Sequence, residues 1–175
     1  MLLKKKYTKS TFNYIIENLN FFWRKYGCII LHSYDLEMGA GTYSPFTFLK
    51  VLSEDKWKTA FIQLSRRPSD GSYLKNLIKR QKFLQYQVII KPTPQDIQKI
   101  YLNSLQFIGI NLLTVDIKFV EGNWESPTLG AYGKGWEVWL NGIEITQFTY
   151  FQQIGGILCN PISCEITYGL ERITT

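Results

Sequence analysis

The stretch GWEVWLNGIEITQFTYFQQIGG, residues 135–156, holds two runs of β-branched and aromatic residues about Asn141-Gly142. That dipeptide suits the type I′ turn, whose twist matches two antiparallel strands. A hairpin is therefore expected here. Working outward, ISCEITY (162–168) reads as a strand behind the hairpin and TVDIKFVE (114–121) as one before it. Residues 60–65 and 82–91 read as two more, separated by the polar stretch RRPSDGSYLKNLIKRQ, and CIILH (28–32) as a short buried one.

Helices lie outside this run. From Thr11 to Tyr26 the residues Phe12, Ile15, Ile16, Leu19, Phe22, Trp23 and Tyr26 recur at three and four, and Gly27 stops them. Ile97, Ile100, Tyr101, Leu105 and Ile108 repeat the pattern, with Thr93 expected as cap, Pro94 at the first position and Gly109 at the end. Ser44-Pro45 opens a third helix over FTFLKVL, and a short one is expected from Gly169. Hairpin-joined strands with helices outside them describe an α+β domain on a mainly antiparallel sheet flanked by helices.

The 175 residues, 45% hydrophobic and 15% aromatic, suffice for one sizeable core. One domain over 11–175 is expected, behind a basic arm over 1–10 whose four lysines supply much of the net charge of +6. That basicity is weak evidence for nucleic acid. Cys28, Cys159 and Cys164 form no paired framework, and the lone His32 has no second ligand at zinc spacing. No zinc is expected, and no membrane segment, since no apolar run approaches about 18 residues. A reduced, cytoplasmic setting follows.

Chemistry-bearing residues cluster by strand alternation. Arg66 and Arg67 carry planar forks that match phosphate oxygens, although an exposed basic loop explains the pair as well. Phe83, Gln85 and Gln87 share one strand face, and amides there need partners that a polar ligand supplies. Simple alternation groups Glu144 with Thr146 and Phe148, and Gln147 with Thr149 on the other face. Glu144 suits Mg²⁺ held by phosphates. Glu165 and Thr167 point the same way and suit an ammonium group, with Cys164 and Ile166 opposite. Glu171 and Arg172 open the last helix, where free amides favour anions. The loop EMGAGTYSP (37–45) is a further candidate for function.

SRRPSDG, QYQVIIKPTP, WESPTLGAYGKGWEVWLNGIEITQFTYFQQIGG and EITYGLER closely resemble the α subunit of bacterial tetrameric glycyl-tRNA synthetase, a class II aminoacyl-tRNA synthetase, from about Thr11 to the end. The resemblance implies the class II catalytic fold and a reaction of glycine with ATP and Mg²⁺. Glycyl-adenylate and pyrophosphate form, and the glycyl group then passes to tRNA-Gly. It implies a β subunit as partner and an α–α homodimer within a heterotetramer. Arg66 or Arg67 would grip the α-phosphate, Arg172 the γ-phosphate, and Phe83 the adenine. Glu144 and Gln147 would hold ATP and its Mg²⁺. Gln85, Glu165 and Thr167 would surround glycine, with Trp124 closing the pocket against alanine.

The family string DGRYGENPNR is DGSYLKNLIK here, which brings in Ser72, Leu74 and Lys79, and Cys164 replaces a glycine. Family members continue past Arg172 with a helical C-terminal region, expected to be missing. A shortened, non-catalytic remnant that binds nucleotide or a partner is therefore the alternative reading.

Overall fold

The computed structural model describes residues 11–71 and 80–175. In chain order it contains α1 (Phe12–Lys25), β1 (Ile29–His32), α2 (Pro45–Leu52), β2 (Trp57–Arg66), β3 (Lys82–Lys91) and α3 (Ile97–Phe107). β4 (Ile117–Ser126), β5 (Ala131–Leu140), β6 (Ile143–Ile154), β7 (Ile157–Gly169) and α4 (Leu170–Ile173) follow. The strands form one seven-stranded sheet in the order β1-β2-β3-β7-β6-β5-β4. Only β1 and β2 run parallel; the other neighbours are antiparallel. Among the described residues no helix is long and apolar enough to cross a membrane.

Both long helices end as their sequences suggest. After α1, Gly27 takes φ +99° and donates to Arg24 while Cys28 donates to Trp23; after α3, Gly109 takes φ +102° and Ile110 donates to Leu105. These are paired bonds that satisfy the last carbonyls of a helix through a left-handed glycine. The β5–β6 turn has φ +49° at Asn141 and +83° at Gly142, the left-handed pair that a type I′ turn requires.

The sheet is covered on both faces. On one, Leu19 and Trp23 of α1 and Tyr101 and Leu105 of α3 pack on Tyr86, Val88, Phe148, Ile166 and Tyr168. Full burial of each such aliphatic or phenyl side chain contributes about 1.5–3 kcal/mol. On the other, α2 brings Val51 onto Phe61, Ile89, Phe151 and Ile154. Lys91 fixes α2 there: its buried ammonium donates to the carbonyls of Val51, at 2.7 Å, and of Ser53. The second layer covers only part of its face and leaves the centre of the sheet open.

Several expectations need correction; the strands expected over 114–121 and 162–168 run over Ile117–Ser126 and Ile157–Gly169. Thr93 does not cap α3; its N–H and hydroxyl both donate to the Ile162 carbonyl on β7, and the helix begins four residues later behind Asp96. The strand expected over 60–65 runs over Trp57–Arg66, because β3 pairs with it along that whole length. Simple alternation also fails in β6. Val138 pairs with Thr146 but Trp139 pairs with Glu144, so Ile145 is an inserted residue. Such a bulge resets which side chains share a face. Glu144 therefore joins Gln147, and Thr146 and Phe148 lie with the buried face.

Candidate active site

The open centre of the sheet is built by β3, β7 and β6. Gln87, Thr167 and Gln147 stand in one cross-strand row, and Ile89, Glu165 and Thr149 in the next. Over Thr167 and Gln147 of the first row lies a cavity of about 420 Å³ lined by Arg67, Asp70, Arg80, Phe83, Gln85, Glu144, Gln147, Thr167, Glu171 and Arg172 among others. Seven of the ten side chains proposed from the sequence line it; Arg66, Trp124 and Glu165 do not.

Arg67 and Arg66 leave β2 in different directions. The Arg67 guanidinium lies 5.1 Å over the Phe83 ring, and its Nε donates to the Gly39 carbonyl at 2.8 Å. Arg66 turns outside the cavity to Asp35, at 2.6 Å, and to the Leu36 carbonyl. That bond holds the Asp35 carboxyl below its usual range.

The far wall is the start of α4. One Arg172 nitrogen donates to both the main-chain carbonyl and the carboxylate of Glu144, at 2.8 and 2.9 Å. Glu171 accepts from the Leu84 N–H at 2.8 Å, and Leu170 is fully buried. Such attachments hold a four-residue helix that has little stability by itself. Arg172 is thus firmly placed.

Beside the cavity, under the turn Gly41–Tyr43, polar groups are buried. Glu165 is 1% exposed; its Oε2 accepts from the Thr42 hydroxyl at 2.7 Å, and its Oε1 has no partner. Burial pushes this carboxyl up to about 7, and the Thr42 bond opposes the shift. Gln87 accepts from Thr167 at 3.0 Å, while its amide nitrogen is unpartnered. Gln85 accepts from the Gly41 N–H and the Ser65 hydroxyl. Trp124 stands apart on β4, packed edge-on against Phe151 at 5.5 Å. It reaches across Gly133, which lies between them in the sheet.

Sequence reasoning missed Thr42, Gly41 and Ser65. Only the glycine-containing loop hinted at the first two, and alternation had already put Gln87 beside Gln85.

A family model described as glycyl-tRNA synthetase alpha subunit matches residues 12–175. The chain belongs to that family. Its fold is also that of the class II aminoacyl-tRNA synthetases. A structure of a pyrrolysyl-tRNA synthetase from Desulfitobacterium hafniense is similar with a TM-score of 0.65 at 13% identity, covering 98% of this chain and 70% of that one. A second structure of pyrrolysyl-tRNA synthetase from that organism gives 0.64 at 11%, covering 98% and 71%. At such identities the likeness is one of fold.

Of the departures from the family, Ser72, Leu74 and Lys79 lie outside the described residues. Cys164 sits fully buried on the face opposite Glu165, with burial pushing its thiol well up, and its strand pairs normally with β3 and β6.

Proposed function

We propose that this glycyl-tRNA synthetase α-family chain activates glycine with ATP and serves, with a β subunit, to charge tRNA-Gly in the cytoplasm as part of an α–α dimer. The observation that carries the reading is the buried Glu165 carboxylate, with one oxygen unpaired, in the sheet row next to Thr167, which lines the cleft that holds Arg67 and Arg172.

In this reading the ammonium of glycine meets Glu165, and Gln85 and Thr167 bound the substrate. A glycine carboxylate oxygen attacks the α-phosphorus and the bond to pyrophosphate breaks. Arg67 stabilises the charge that builds on the phosphoryl oxygens, a role of preorganised electrostatics that needs no general base. Arg66 supports the neighbouring loop. Phe83 stacks on adenine once the Arg67 guanidinium moves from its face, and Arg172 holds the γ-phosphate.

Among the described residues no group of three His, Cys, Asp or Glu comes together. Mg²⁺ would therefore arrive on the triphosphate, with Glu144 and Gln147 at the wall to hold it; it supplies charge neutralisation there. Trp124 is assigned the exclusion of alanine on the family likeness, since neither it nor its partner Phe151 lines the cavity. One methyl is worth about 10–200-fold in such a pocket.

The test is glycine-dependent exchange of pyrophosphate into ATP by the chain, with and without a β subunit. Exchange with glycine and far less with alanine is expected. ATP binding without exchange under either condition overturns the reading in favour of a non-catalytic nucleotide-binding protein.

A further inference from the structure

The turn Gly41–Tyr43 covers the sealed polar groups, and its bonds decide which atoms those groups present. Glu165 has two oxygens, and the Thr42 hydroxyl takes one of them in a buried bond of 2.7 Å. The other faces no donor. Gln87 has one acceptor and one donor group, and Thr167 takes the acceptor, leaving the amide nitrogen unpaired. The Gly41 N–H takes the Gln85 oxygen at 2.9 Å, which turns that amide nitrogen the other way. What remains without a partner is one carboxylate oxygen and the Gln87 amide nitrogen. An amino acid zwitterion presents the complement, an ammonium donor and a carboxylate acceptor.

The turn also fixes the clearance. A Cβ on Gly41 would lie 2.1 Å from the Gln87 amide nitrogen, so a side chain at this position displaces Gln87. A glycine lets the backbone come this close.

We propose that Thr42 is a positioning residue for the amino-acid substrate, acting through Glu165 by holding Oε2 and so directing Oε1 to the substrate ammonium, with Gly41 setting the height of the roof over Gln87. The proposal rests on the reading of Glu165 as the ammonium site. Thr42 itself need not touch the substrate. Its effect is on one carboxylate, whose ionisation is governed by burial and by this hydroxyl. The titratable neighbours leave it so: the Cys164 thiol is on the opposite face and pushed up, Tyr150 opposite Cys164 is likewise pushed up, and the Lys91 ammonium is held at the end of α2.

The experiment is pyrophosphate exchange between pH 6 and 9 by the chain with its β subunit, varying glycine and ATP separately. Thr42→Val is expected to raise the KM for glycine about tenfold, the loss of a hydrogen bond to a charged group. It should also move the pH midpoint of that KM upward, with the KM for ATP unchanged, and Thr42→Ser should restore both. Thr42→Ala gives the same readout if the valine variant melts early. A glycine KM and midpoint equal to wild type in both variants, or an equal rise in both KM values, overturns the proposal alone. Absence of glycine-dependent exchange in the wild-type pair overturns the proposed function, and this proposal with it.

Discussion

Arg172 and Glu144 are locked together: one guanidinium nitrogen holds both the carbonyl and the carboxylate of Glu144, at 2.8 and 2.9 Å. The partners lie 28 residues apart, and each is about one third exposed. The bond ties α4 to β6 across the cleft wall. An ion pair this accessible contributes only about 0.2–1 kcal/mol to stability. Its value is geometric, because it holds Arg172 at the cavity wall, where the proposed function puts the end of the triphosphate.

Glu144→Ala is therefore expected to cost less than about 1 kcal/mol in urea denaturation. The KM for ATP should rise about tenfold or more, since misplacing one phosphate-binding group is costly in rate and binding. Steady-state exchange at varied ATP measures it. A large loss of stability with an unchanged KM would mean that the pair is structural.

The two adjacent arginines should separate cleanly. Arg67 lies over Phe83 in the cavity, whereas Arg66 is bound to Asp35 outside it. Arg67→Ala is expected to lower exchange by about 10²–10³, the usual loss for one preorganised charge-stabilising donor. Arg67→Lys should recover part of this, because the charge returns without the fork. Arg66→Ala should cost no more than about fivefold, the scale of a surface ion pair. The reverse ranking would assign the α-phosphate to Arg66.

Much of this arrangement was legible in the sequence. The pattern of α1 with its stop at Gly27, and the Asn141-Gly142 turn, are local, and local chemistry set both. The common face of Glu165 and Thr167 followed from alternation because β7 pairs without a register shift from Ser163 to Tyr168. Alternation failed for Glu144 because the Ile145 bulge depends on how β5 and β6 register, which neither strand shows alone. Thr93 looked like a helix cap until the Ile162 carbonyl, 69 residues away, competed for it. Thr42 was beyond reach, since its partner Glu165 is 123 residues further along the chain.

Lys91 offers a test of the layer beside the site. Its buried ammonium satisfies two carbonyls at the end of α2, those of Val51 and Ser53. Lys91→Met keeps the apolar stem and leaves the buried Val51 carbonyl and the partly buried Ser53 carbonyl without this donor. The expected loss is about 1–3 kcal/mol by urea denaturation, the cost of unsatisfied buried acceptors. Stability equal to wild type would mean that α2 is held by the packing of Val51 and Phe61 alone.

Glu165 should make stability and glycine affinity respond to pH in opposite directions. Its native pKa is about 7 against an ordinary 4.5, so between these values the folded chain keeps a proton that the unfolded chain has released. Unfolding free energy from this group therefore falls as pH rises from 4.5 to 7 and is level above. The shift corresponds to about 3 kcal/mol at pH 8. Glu165→Gln, which can still accept from Thr42, is expected to remove this slope and to be the more stable protein at pH 8. Affinity runs the other way: the ionised carboxylate is the form that holds an ammonium, so the glycine KM of the wild type should fall as pH rises through 7, and the variant should show a high, flat KM. Urea denaturation at pH 5 and 8, with exchange kinetics over the same range, reads both. An identical stability slope in wild type and variant would remove Glu165 as its source, and a glycine KM unchanged in the variant would remove it from the amino-acid site.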